Sequence, residues 1–289
     1  MSASPTSIRA IAELSEALKE KRAGVFIGSG ISSASGLPSW SGLLSELIDE
    51  LRGQPGVSPQ LICDAEQLVA DRNKWLILAQ LLRNELGKSF TDYIERRFTD
   101  LTHKPNSIHD ALIEIPWRAI VTTNYDRLIE RSYARHFGAD GDIPVFSYQN
   151  PAKIASNYRR GVNFVLKAHG DAREGPEFVV LTEADYRNLI HREIGYQTIL
   201  QALFTTTSFL FIGCSLTDPD LRLLLQFIHS AFHGDTPTHY ALVPENERCM
   251  AEDKIFYSEY RIHVIPIKPS DLSGSILSFL GDLKSSYAP

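Results

Sequence analysis

Cysteine is scarce in this chain of 289 residues, which carries only Cys63, Cys214 and Cys249. Three scattered thiols are too few for a disulfide framework or a four-thiolate zinc site. Basic runs are missing as well. No stretch of Lys or Arg exceeds a pair and the formal net charge is -6, so the chain lacks the electrostatic footprint of a sequence-independent binder of phosphate backbones. That argues against direct contact with nucleic acid. No window reaches the roughly 18 consecutive apolar residues of a membrane span, and the first two dozen residues lack the unbroken apolar core of a signal peptide. A soluble, cytoplasmic protein is expected. Repeats, low-complexity tracts and flexible linkers are also absent, which favours one domain over residues 1–289 carrying insertions rather than two domains in tandem.

What is present is ordinary globular material, 43% hydrophobic and 22% charged, with a strong alternation of patterns. Ile8, Ile11, Leu14 and Leu18 recur at helical spacing. Gly24 to Gly28 is then a short apolar run bounded by glycines, as expected of a strand buried on both faces of a parallel sheet. Runs of the same kind occur at 119–123, 163–167, 208–213, 239–243 and 262–267. Helical patterns separate most of them, among them 43–51, 75–86, 126–136 and 221–232. Strands alternating with helices predict an α/β fold, a Rossmann-like parallel sheet with helices on both faces. Two stretches exceed a minimal sheet of this type, roughly 41–115 and 172–205. Both read as helical insertions.

Gly28-Ser29-Gly30-Ile31-Ser32-Ser33 follows the first strand directly. Glycines there can take a tight turn, and a helix start offers backbone N–H groups and partial positive charge to a pyrophosphate. A plain Gly/Ser turn explains the same residues equally well. Serine stands where the dinucleotide fingerprint has its third glycine, and no acidic residue about 20 positions on clearly ends a second strand.

The longer run from Gly28 through Ser29, Gly30, Ser33, Gly36 and Pro38 to Trp40 resembles the NAD-wrapping signature of the sirtuin family. Three more segments match that family in order, each at the end of a predicted strand. Thr123-Asn124-Tyr125-Asp126 is similar to its Gln-Asn-Ile-Asp motif, Lys167-Ala168-His169-Gly170 to its His-Gly, and Gly213-Cys214-Ser215-Leu216 to its Gly-Thr-Ser-Leu. The departures are equally informative. Sirtuin deacylases hold a structural zinc with two cysteine pairs between the last two motifs, and this chain has no cysteine between His169 and Gly213. No zinc module, and no metal, is expected. Trp40-Ser41 replaces the family's Phe-Arg, and Thr123 its Gln. This combination resembles the sirtuin-like NAD hydrolases of bacterial anti-phage defence.

The resemblance implies NAD as substrate, with Asn124 and His169 at the reacting end. Cleaving the nicotinamide–ribose bond passes through an oxocarbenium-like ribose, so an enzyme must place the ring, stabilise the cation and deliver water. Asn124 can hold a water or the ribose hydroxyls; by itself it is also a common helix cap. His169 brings an imidazole, the side chain that most often serves as a general base. The resemblance places Asp126 at the nicotinamide carboxamide and assigns Gly28, Ser29, Gly30, Ser33, Gly36, Pro38, Trp40, Thr123, Gly213 and Ser215 to the rest of the dinucleotide. A toxic hydrolase needs gating, which leads to the expectation of a homo-oligomer and, from family likeness, of a HerA-type ATPase as partner. A lysine deacylase or ADP-ribosyltransferase, and a non-catalytic NAD or ADP-ribose sensor, are the alternatives.

Overall fold

A computed structural model describes residues 5–138, 142–214, 216, 219–232 and 235–287. Seven parallel strands form one sheet in the order β3-β4-β2-β1-β5-β6-β7. In chain order they are β1 (Ala23–Ile27), β2 (Ala119–Thr122), β3 (Val145–Ser147), β4 (Phe164–Lys167), β5 (Ser208–Ile212), β6 (His239–Pro244) and β7 (Ile262–Ile267). β1 and β2 are buried along their whole length, which is why each reads as a continuous apolar run with no alternation. β3 escaped the sequence reading. It is three residues long, sits at the sheet edge and is only half-buried, so it carries neither an apolar run nor a period.

The pleat sends alternate residues to two separate cores. Val25, Ile27, Ile120, Val165 and Leu210 face one layer. It is built by α1 (Pro5–Lys19), α7 (Ser107–Ile113), α8 (Leu128–Phe137) and α14 (Leu272–Tyr287). Phe26, Val121, Leu166, Phe209 and Phe211 face the other. There lie α9 (Pro151–Arg159), α10 (Glu183–His191), α11 (Ile194–Thr206), α12 (Pro219–Ala231) and α13 (Met250–Tyr260). The sheet is therefore covered on both faces, as its apolar strands require.

Between β1 and β2 runs a helical segment with a core of its own. A short turn of helix, α2 (Ser29–Ser33), is followed by α3 (Trp40–Arg52), α4 (Pro59–Val69), α5 (Trp75–Leu86) and α6 (Lys88–Thr99). Leu44, Leu47, Leu78, Leu82 and Phe90 fill its interior, joined by Ala172, Val179 and Leu181 from the later stretch. Of the two stretches singled out in the sequence, 41–115 thus divides: α3–α6 pack among themselves and α7 packs on the sheet. The second divides as well, with Ala172, Val179 and Leu181 on the helical core and Val180, α10 and α11 on the sheet face.

Candidate functional site

The strand order reverses at β1, whose neighbours are β2 on one side and β5 on the other. In open α/β sheets ligands bind outside the carboxyl ends of the strands at such a point. Register brings the four sequence motifs there together. Ile27 pairs with Thr122 and with Ile212, and Thr122 pairs with Lys167. The four central strands consequently end at one level, and Gly28, Thr123, Ala168 and Gly213 form the next row. Asn124 and His169 each lie two residues beyond the Thr122–Lys167 pair, so adjacent strands deliver them at the same end of the sheet.

The glycines in that row serve loop-to-loop packing. Gly28 N–H donates to the Ile212 carbonyl and Gly30 N–H to the Gly213 carbonyl, both at 3.0 Å. A Cβ on Gly28 would come within 2.4 Å of the Gly213 oxygen, and one on Gly30 within 3.0 Å. Gly213 has φ +67 and lies against Ile31. The sequence reading offered these amides to a phosphate; the Gly30 amide is instead taken up by Gly213. Ser29, Thr123 and Gly213 are half-buried and Gly30 is exposed, which places them at the rim. Ser33 Oγ donates back to the Ser29 carbonyl.

Beneath the rim is a buried polar cluster. Asn124 is 7% exposed. Its Nδ2 donates to the Gly28 carbonyl at 3.2 Å and to Ser32 Oγ at 2.9 Å, and its N–H donates to Thr122 Oγ1. Asn124 Oδ1 is buried and has no hydrogen-bond partner among the described residues. Ser32 Oγ in turn donates to Asp126 Oδ2 at 2.8 Å. The helix-start role open to Asn124 falls to Asp126, whose Oδ1 accepts from Leu128 N–H at the head of α8. Ser32 and Thr122 were missed in the sequence because a hydroxyl has no signature until its distant partners are known, Asn124 92 residues from Ser32 and Ile27 95 residues from Thr122. His109 was missed too. It closes a capping box with Asn106 at the start of α7, its buried Nε2 is unpartnered among the described residues, and burial lowers its pKa against the opposing pull of Asp126 and Asp110.

His169 is 2% exposed and its ring stands edge-on to Tyr186 at 5.2 Å. Together with Phe26, Thr123, Tyr196 and Leu221 it lines a small, mostly apolar cavity at the strand ends. Trp40 stacks on Trp75 at 5.5 Å and packs at the seam between the sheet core and the helical core. Pro38 is half-buried and Gly36 exposed, its carbonyl held by Arg97. Ser215 lies outside the described residues. On the opposite face of β4, Lys167 is buried among carboxylates, a cluster the sequence did not reveal. Chemically, the strand ends offer a buried amide oxygen on Asn124 with no partner among the described residues and, on the neighbouring strand, an imidazole that lines a mostly apolar cavity. The first can accept from a hydroxyl or water, the second can take a proton.

A parallel sheet with a glycine-lined crevice at its switch point, and helices on both faces, defines a doubly wound α/β protein. Residues 118–265, just over half of the chain, match the SIR2-like domain family. The chain belongs to that family. Among curated relatives, the NAD(+) hydrolase ThsA of Bacillus cereus (strain MSX-D12) is 30% identical over 263 residues, 91% of this chain and 51% of the relative. The NAD(+) hydrolase ThsA of Cytobacillus dafuensis is 30% identical over 80% of this chain and 42% of its own length. Defense-associated sirtuin 2 of Bacillus subtilis is 27% identical over 89% of this chain and 24% of its own. The chain spans about half the length, or less, of these relatives. Among the described residues no group of His, Cys, Asp and Glu could hold a metal ion, and no helix is long and apolar enough to cross a membrane.

Proposed function

We propose that this chain hydrolyses the nicotinamide–ribose bond of NAD, consuming water and releasing nicotinamide, ADP-ribose and a proton, in cytoplasmic anti-phage defence. The observation that carries the proposal is Asn124, whose amide nitrogen is fixed by Gly28 and Ser32 while its buried oxygen has no partner among the described residues. Leaving a buried acceptor unmade costs about 1–3 kcal/mol, which a reacting hydroxyl or water would recover. Asn124 orients that group and faces the cationic ribose with its oxygen. His169 takes the proton from water or from a ribose hydroxyl. Ser32 and Asp126 hold Asn124 in place, and Ser29, Gly30, Thr123 and Gly213 form the rim for the dinucleotide over the buried Gly28, with Ser33, Gly36, Pro38 and Trp40 extending it; Ser215 is assigned to the dinucleotide by family likeness alone. The names of the relatives, two of them NAD(+) hydrolases, support the same reaction.

Lysine deacylation is the lesser reading, because the cysteine pairs of a zinc module are missing between His169 and Gly213. We read residues 1–289 as one domain whose inserted helices wall the crevice, and assign gating to self-association or to a HerA-type ATPase. The test is purified protein incubated with NAD, with and without an acylated peptide, following nicotinamide by chromatography. Release without peptide, reduced at least about a hundredfold in a folded His169→Ala variant, is the expected result. Release that requires the peptide would favour deacylation. No release at any protein concentration, with NAD still bound, would favour the sensor.

A further inference from the structure

Lys167 ends β4 two residues before His169 and is 1% exposed. Its neighbour on the same face, Val165, belongs to the apolar core, so an aliphatic residue would continue the pattern. Instead an ammonium sits there. Nζ donates to the main-chain oxygen of Asp126 and faces Glu130 Oε1 at 3.2 Å and Asp171 Oδ2 at 3.8 Å. Asp171, itself 3% exposed, receives Arg127 Nε at 2.8 Å, and Arg127 reaches on to Glu174. Burial pulls the Lys167 ammonium down, but Glu130, Asp171 and Asp126 pull harder and hold it above its ordinary pKa. It is a charged group in the interior.

The partners fall into two segments. Asp126, Arg127 and Glu130 follow Asn124, whereas Lys167 and Asp171 bracket His169. Three ionic links, Lys167 to Glu130, Arg127 to Asp171 and Arg127 to Glu174, the Nζ bond to the Asp126 carbonyl and one backbone bond, Ala172 N–H to the Tyr125 carbonyl, therefore tie the segment that delivers the amide to the segment that delivers the imidazole. A buried ion pair is a poor device for stability, since well-packed apolar residues of similar volume do as well or better. What it supplies is a defined geometry.

We propose that Lys167 is a positioning residue, whose ammonium, clasped by the Asp126 carbonyl, Glu130 and Asp171, sets the separation of Asn124 and His169. The proposal rests on the hydrolase reading of that pair. A misplacement of about 1 Å at reacting groups can cost on the order of a hundredfold in rate. Lys167→Met alone would strand Glu130, so the informative variant is Lys167→Met combined with Glu130→Leu, which removes the pair while Asp171 keeps Arg127. The expected result is a folded protein with KM for NAD within about threefold of wild type and kcat lowered at least about tenfold. Unchanged kcat in the folded double variant would overturn the proposal. Should wild-type protein release no nicotinamide, the hydrolase reading fails by itself and the clasp is read by hydrogen–deuterium exchange. Faster exchange at 123–128 and 168–172 with none at 28–33 would then support it, and unchanged exchange would overturn it.

Discussion

Replacing Asn124 by alanine separates what the residue does for the fold from what it does for the reaction. Two hydrogen bonds disappear, from Nδ2 to the Gly28 carbonyl and to Ser32 Oγ. Ser32 keeps its bond to Asp126, so one hydroxyl loses an incoming donor and one carbonyl loses a partner. At about 0.5–1.5 kcal/mol net for each bond, the cost is about 1–3 kcal/mol. Set against the roughly 5–15 kcal/mol of a typical domain, the variant folds. A chain of this size should lose roughly 2–4 °C in Tm per kcal/mol. The oxygen is different: Oδ1 has no partner among the described residues, so its removal adds nothing to the loss of stability. Its whole effect should fall on turnover, which is expected to drop at least about a hundredfold at saturating NAD. Asn124→Asp retains an oxygen there but sets a second against the Gly28 carbonyl, and should be less stable than Asn124→Ala. The assay is urea unfolding beside nicotinamide release. A folded Asn124→Ala protein with turnover within threefold of wild type would refute the reasoning, as would a loss of fold far beyond about 3 kcal/mol.

Gly213→Ala puts a Cβ 2.8 Å from Ile31 Cγ1 at a backbone φ of +67; the strain should cost about 1–3 kcal/mol and weaken NAD binding, measured by calorimetry on folded protein, whereas unchanged affinity would show that the two loops move independently of the ligand. Gly28→Ala, with its Cβ 2.4 Å from the Gly213 oxygen, should be worse. His239 is buried beside Phe204, Phe209 and Phe211 and accepts from Phe209 N–H; burial, with Arg261 adding to it, pushes its pKa down to about 3. The unfolded chain protonates it near pH 6.5 and the folded chain does not, so stability is intact above that pH and falls by about 1.4 kcal/mol per unit as the pH drops towards 3. His239→Gln should flatten that slope in unfolding measured between pH 7 and 5, and an unchanged slope would count against a buried neutral imidazole. Chelation by EDTA should leave Tm and NAD cleavage unchanged, since no metal-holding group occurs among the described residues; a fall in either would reveal a metal.

How much of this could be read from the sequence follows from the range of the forces involved. Burial on both faces turns a strand into an uninterrupted apolar run, so β1, β2, β4, β5, β6 and β7 could be read directly, whereas the short, half-buried edge strand β3 could not. Parallel strands end in loops on one side of a sheet, so four motifs at predicted strand ends already implied one crevice. The polar interior was beyond reach. Ser32, Asn124 and Asp126 meet only because the register pairs Ile27 with Thr122, and Lys167 reads as a charge at a strand end until Glu130 and Asp171 are folded over it. The Gly28 and Gly30 turn looked the same in sequence whether its amides faced a phosphate or another loop, and the Gly213 carbonyl decided the Gly30 amide. Local periodicity fixes which residues face inward, because it depends on neighbours three or four positions away. Which buried polar group meets which depends on strands and helices tens of residues apart, and only tertiary packing sets those distances.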